Sequence, residues 1–198
     1  ASATSAPGIA TSYNDRDQIT AITGTQTASY AYNGAGHRVN RTVNGTSTNF
    51  VIDPNRSLPE VLAETNAGGA VQRNYVYGYG LIEQIDSTNT PHYYHFDPTG
   101  STLALTDATG AISDRYAYTP YGETTVNGTT VNPFKYVGKL GVMDDSNGLY
   151  FMRARYYRPD IARFMSLDQL AGSADKPQTL NRYAYVAGNP VSGVDPSG

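Results

Sequence analysis

Tyr30-Ala31-Tyr32-Asn33-Gly34-Ala35-Gly36-His37-Arg38 holds the pattern that decides the fold: two aromatic residues at alternate positions, followed by a turn rich in Asn and Gly. In an extended strand, alternate residues face the same way, so such a unit puts two rings on one face before the chain reverses. The pattern returns in Tyr75-Val76-Tyr77-Gly78, in Tyr94-His95-Phe96-Asp97-Pro98-Thr99-Gly100 and in Tyr116-Ala117-Tyr118-Thr119-Pro120-Tyr121-Gly122. A longer parallel runs from Asp53 to Tyr77 and again from Asp97 to Tyr118, at the ~20-residue spacing of stacked repeat units. Asn-Gly pairs at 44–45 and 127–128 stand between Val/Thr-rich flanks and predict hairpins; Asn66–Gly69 and Asp107–Gly110 predict two further reversals. Weak helical spacing occurs over 161–171, and 179–187 admits a short helical turn.

Composition agrees with an all-β chain. Of the 198 residues, 17 are Tyr, five are Phe and none is Trp, with 20 Gly and 11 Pro. Lys and Glu are scarce while Gly, Thr, Asn and Asp are plentiful, so surface helix formers are few and turn formers many. Burial falls largely to tyrosine rings, each of which needs a partner for its hydroxyl, which suits thin curved sheets. The net charge of −3 gives no reason to expect nucleic acid or an anionic membrane as partner. The absence of cysteine excludes disulfides, thiolate catalysis and Cys-based metal sites. No apolar run is long enough to span a membrane as a helix. Ala1–Gly8 lacks a charged and an apolar region, and reads as a linker or as a cut into a longer polypeptide.

The last third carries a second signature. Gly148-Leu149-Tyr150-Phe151-Met152-Arg153-Ala154-Arg155-Tyr156-Tyr157 leads into Ala162-Arg163-Phe164-Met165-Ser166-Leu167-Asp168. Asn181-Arg182-Tyr183-Ala184-Tyr185-Val186, Asn189-Pro190-Val191 and Asp195-Pro196-Ser197-Gly198 follow. This order resembles the Rhs repeat-associated core domain, which closes the tyrosine/aspartate (YD) repeat shells of Rhs and wall-associated polymorphic toxins, toxin complex C-components and, more distantly, teneurins. The resemblance implies a spiral β-shell segment made of a curved antiparallel YD-repeat sheet and closed by an Rhs-like core. On it the chain divides into a linker or truncated repeat (1–28), YD-type β-repeats (29–122) and the core (123–198). The repeats are degenerate, with Gly78 and Thr119 where an Asp is typical.

In Rhs-type cores, aspartates of two Asp-Pro-like motifs are implicated in self-cleavage just past the second motif. By that likeness Asp168 and Asp195 are the candidate catalytic residues, with Arg163 and Arg182 in support. Paired carboxylates suit the task because one must accept a proton and the other donate one, and two in contact share a single proton. The sequence departs from the pattern at Gln169, which replaces a Pro, at the Ser173–Pro177 insertion, and at Arg158, which replaces an Asp. Asp-Pro also caps turns everywhere, and that bare turn role stays open for both aspartates. Arg153 and Arg155, alternating along one predicted strand, would orient an aspartate or an oxyanion, or else stack on Tyr and pair with Asp between strands.

His92 and His95 lie on opposite faces of a strand and cannot easily share a metal ion, so neither metal nor cofactor is expected. At most the chain is an aspartyl autoprotease acting in cis. Its expected partners are neighbouring repeats or a C-terminal toxin cargo of a parent chain, in a secreted or cell-surface bacterial setting. The rival class is an extracellular binding or assembly module. It would hold glycan on exposed tyrosines or form filaments through open sheet edges.

Overall fold

The computed structural model describes residues 9–24 and 26–198. The expected linker Ala1–Gly8 lies outside the described residues. The chain divides after Pro91 into two compact units. The first is an antiparallel meander of β1 (Ile9–Tyr13), β2 (Ile19–Gly24), β3 (Ala28–Tyr32), β4 (Arg38–Val43), β5 (Thr46–Asp53), β6 (Glu60–Asn66), β7 (Val71–Gly78) and β8 (Gly80–Asp86). The second opens with the meander β9 (Pro91–Phe96), β10 (Thr102–Thr106), β11 (Ile112–Tyr118) and β12 (Thr124–Asn127). A smaller antiparallel sheet follows: β13 (Met143–Asp144), β14 (Tyr150–Met152), β15 (Arg155–Arg158) and β16 (Arg163–Phe164). The molecule is all-β with large antiparallel sheet, as expected, and each paired strand lies beside its neighbour in sequence.

One turn recurs throughout. The Asn33 side chain accepts the amides of Ala35 and His37, its backbone pairs with His37, and Gly36 takes φ 87°. Asn14, Asn66, Asp86 and Asp107 repeat the arrangement, with Asp17 and Asn89 in the left-handed position of the first and third of these turns. Asp97 accepts the Ser101 amide in the same way. A short polar side chain that mimics a backbone turn, plus a residue tolerant of positive φ, is what this reversal requires. Thr119, which departs from the family aspartate, performs the same task through its hydroxyl by accepting the Glu123 amide. Gly78 does not: with Tyr79 and Gly80 it forms a tighter reversal.

A β-bulge follows most of these turns. Tyr32 pairs with Arg38 and Ala31 with Asn40, leaving Val39 extra. Thr20, Leu62, Gln72, Ile82, Leu103 and Ser113 are skipped in the same way. A bulge bends its strand and tightens its twist. It also lets residues three apart share a face. Ile19 with Ile22, Leu81 with Gln84, and Thr102 with Leu105 are therefore all buried. Arg38 and Arg41 both reach the Phe50 ring, at 4.9 and 5.7 Å.

Tyrosines of the repeats are buried by ring and anchored by hydroxyl. Tyr30, Tyr75, Tyr94 and Tyr116 are buried, while Tyr32, Tyr77 and Tyr118 donate to the carbonyls of Ile19, Val61 and Thr102 at 2.8, 3.0 and 2.7 Å. Asn44-Gly45 forms the expected two-residue hairpin, both residues at positive φ. Asn127-Gly128 does not. Gly128 instead passes so close to Asp114 that a Cβ would stand 2.0 Å from Oδ1, and Asp114 ties down Thr130 by amide and hydroxyl. The helix over 161–171 is also absent. Ala162 enters the left-handed region and the chain pairs as β16, so the weak spacing reflects a turn and a short strand. Over 179–187 only 3₁₀ turns occur, at Pro177–Leu180 and Val186–Gly188.

Candidate functional site

The smaller sheet, together with the segment that precedes it, is fastened to the β11–β12 reversal by three tyrosines. Tyr136, Tyr157 and Tyr150 donate to the successive carbonyls of Pro120, Tyr121 and Gly122 at 3.1, 2.8 and 3.0 Å. Burial pushes all three hydroxyls well above the ordinary tyrosine range, so they stay protonated donors. Their rings, with Phe164 and Tyr185, form the core; the Tyr157 and Tyr185 centroids lie 4.6 Å apart. This core is the rigid base on which β14, β15 and β16 hold the candidate site.

β14 and β15 are joined by Arg153-Ala154, with Met152 opposite Arg155 and Arg153 at φ 55°. Arg153 and Arg155 are therefore not neighbours on one strand face, as their alternation suggests. The first sits in the turn and the second opens β15. Arg155 is buried, and its guanidinium carbon lies 3.7 Å from the Phe164 ring centroid. One of its nitrogens, Nη2, donates to Oδ2 of Asp168 at 2.9 Å and lies 3.4 Å from Oδ2 of Asp195. The other, Nη1, donates to the carbonyl of Arg182 at 3.1 Å. Burial pulls the Arg155 pKa down, against the pull of both carboxylates, yet a guanidinium stays charged. A cation between two carboxylates offsets their repulsion and holds them at one point.

Each aspartate also organises backbone. Asp168 accepts the Leu170 amide at 2.8 Å and its own amide donates to Arg182. Arg182 returns the favour through its guanidinium, which donates to the Asp168 carbonyl. Asp195 accepts the Gly198 amide at 2.9 Å and the Ser197 hydroxyl at 3.0 Å, so the Asp-Pro-Ser-Gly segment is a closed turn. A cavity of about 360 Å³ opens beside the two carboxylates, lined among others by Leu170, Lys176, Asn181 and Val186.

The structure thus brings Asp168, Asp195 and Arg182 together. Arg163 stands apart: it is exposed on β16 and bridges Ala184 through its backbone. The arginine that holds both aspartates is Arg155, which the sequence offered alongside Arg153 without separating the two. Its signal was present, as a cation beside an aromatic strand, but only the two-residue link at 153–154 decides which arginine turns inward.

The teneurin YD-shell family profile matches residues 10–191. The chain is 35% identical over 195 residues to the tRNA nuclease WapA of Bacillus subtilis, covering 94% of this chain and 8% of that protein. It is 28% identical to toxin subunit YenC1 of Yersinia entomophaga, covering 97% of this chain and 22% of that one. Among solved structures, the TcdB2-TccC3-Cdc42 crystal structure superposes with a TM-score of 0.72 at 23% identity, over 96% of this chain and 10% of that chain. The chain therefore corresponds to a small part of each of these proteins. With its bulged tyrosine hairpins, its Asx turns and a match that runs nearly end to end, the chain belongs to the teneurin YD-shell family.

Proposed function

We propose that this chain is a wall segment of an encapsulating β-shell, and that residues 123–198 form a core that cuts its own polypeptide just beyond Gly198 in a longer parent. The wall reading is supported by strands that pair in sequence order and bend at successive bulges, a geometry that extends by adding hairpins. The observation that carries the cutting reading is the Asp195–Gly198 turn, docked where Arg155 holds Asp168 and Asp195 on one nitrogen. There, one carboxylate takes a proton from water as its oxygen adds to the scissile carbonyl carbon. The C–N bond then breaks, and the other aspartate, which enters the step as the protonated carboxylic acid of the pair, gives its proton to the departing amine. The cargo held behind the wall would be the segment that follows, and the setting secreted or cell-surface. No nuclease or toxin activity is assigned to these residues.

The test is a chain continued past Gly198 and run on a denaturing gel. Two bands are expected from the parent sequence and one from Asp168→Asn. A single band from the parent sequence would remove the cutting role and leave the wall.

A further inference from the structure

The Asp195–Gly198 turn is held by more than the two carboxylates. Arg153, placed in the β14–β15 turn by its left-handed backbone, donates through Nη1 to the Pro196 carbonyl at 2.5 Å and through Nη2 to the Leu140 carbonyl at 2.7 Å. The neighbouring Ala154 amide donates to the Ser197 carbonyl at 3.0 Å. Gly198 closes the contact at φ 79°, where a Cβ would stand 2.2 Å from the Met152 oxygen and 2.8 Å from the Arg155 nitrogen. Gly141 makes room on the other side, since a Cβ there would meet Nη2 of Arg153 at 2.5 Å. The carbonyls of residues 196 and 197 are thus each bonded by the hairpin, and Gly198 lies closely against its backbone, independently of Asp168.

We propose that Arg153 is a positioning residue for the cut, strapping the Asp195–Gly198 turn onto the β14–β15 hairpin so that the scissile bond just beyond Gly198 is presented beside Asp168 and Asp195. Gly198 is the residue that determines which segment can dock. This rests on the cutting reading above. Arg153 touches only carbonyls upstream of the scissile bond, so it moves no proton; water supplies the atoms of the hydrolysis as already written. A fork that spans two carbonyls on separate segments is a task for guanidinium geometry, and the single ammonium of lysine replaces it only in part. A strap of this kind acts through proximity, where small misplacement costs orders of magnitude in rate.

The test uses a chain continued past Gly198 and two readouts: the rate at which it divides, and amide hydrogen exchange at Ala154 and at position 168 in an uncut Asp168→Asn background. Arg153→Gln is expected to slow division on the order of tenfold to a hundredfold without moving its pH profile, with Arg153→Lys recovering part of the rate. In the uncut background Arg153→Gln is expected to speed exchange at Ala154 while the backbone amide at position 168, bonded to the Arg182 carbonyl, stays protected. Division at the parent rate, or unchanged Ala154 exchange, overturns the proposal. Where Arg153→Gln loses protection at position 168 and so the fold, Gly198→Ala decides: slowed division with position 168 protected supports the strap, and division at the parent rate sinks it. A parent chain that never divides defeats the cutting reading and with it any role of Arg153 in a cut, while the exchange arm separately shows whether Arg153 holds the turn.

Discussion

At the scale of single residues, the turn-forming Asn and Asp side chains do the most local work. Asn33 accepts two amides that would otherwise face only water or strain the reversal. Asn33→Ala should therefore cost about 1 kcal/mol, the usual worth of a capping side chain, and urea unfolding should show it as a lowered midpoint with an unchanged slope. An unaltered midpoint would mean that Gly36 and the backbone pair alone hold the turn. Asp114 makes a different prediction. Burial disfavours its charge, but hydrogen bonds from Thr130 and Ser113 win and hold its carboxyl below the ordinary carboxylate range. A depressed folded pKa contributes stability that is present above the unfolded value and lost as pH falls through the folded one. The protein should lose stability as pH drops below about 4, and Asp114→Asn should flatten that loss. Equal slopes for the two proteins in thermal melts at pH 6 and pH 3 would contradict it. None of these contacts is written in the sequence beyond a preference for Asx, since Asp114 lies within a strand and its partner Thr130 follows a failed hairpin signal at Asn127-Gly128.

Among the elements, the hairpin with its bulge is the repeating physical unit. The aromatic pairs were legible because alternate residues on β3, β7, β9 and β11 do share a face, and the Asn44-Gly45 turn was legible because Asn-Gly is the pair that most readily takes two positive φ angles in succession. The following strands were not, because the bulges at Val39, Ile82 and Leu103 convert a period of two into a spacing of three. Read as plain alternation, Leu81 and Gln84 fall on opposite faces, yet both are buried. The same reasoning misplaced Arg153. A two-residue link of Arg and Ala carries none of the Gly or Asn that mark a reversal, so the strand seemed to run through it. The hydroxyl anchors are a property of the element rather than of one residue, because each spans from the second aromatic of a hairpin back to an earlier strand. Tyr118→Phe removes the bond to the Thr102 carbonyl and keeps the ring. It should cost about 1 kcal/mol, the net worth of such a bond, and Tyr77→Phe should cost a similar amount through Val61. Thermal melts of each variant check this, and a change within error for both would reassign the tyrosines to packing alone.

Considered as a whole molecule, the chain spans only 8% of WapA and 22% of YenC1, and that shapes what its surfaces are for. In the first unit β1 pairs with β2, and in the second β12 pairs with β11; among the described residues neither has a strand on its other side. An edge with unpaired amides and carbonyls is a template for another strand. The faces opposite the tyrosines add to the tendency, because Val51, Leu62, Val76 and Ile82 in the first unit and Leu103 and Ile112 in the second remain substantially exposed. In a shell these features would be occupied by further hairpins on either side and by whatever lies against the wall. The polypeptide alone should therefore associate as its concentration rises through the micromolar range, and sedimentation velocity should show the weight-average mass climbing. If the edges drive it, Thr11→Lys with Val126→Lys should hold the mass at that of one chain, because a charged side chain on an edge strand opposes pairing. If the apolar faces drive it, the edge lysines should change little, while Ile82→Lys and Leu103→Lys should suppress it. Salt separates the two further: screening weakens the repulsion between lysine-bearing edges and restores edge pairing, but it leaves contact between apolar faces in place. A mass that stays at one chain throughout would show that these edges and faces are self-protected, and that the wall needs a partner of other chemistry to extend.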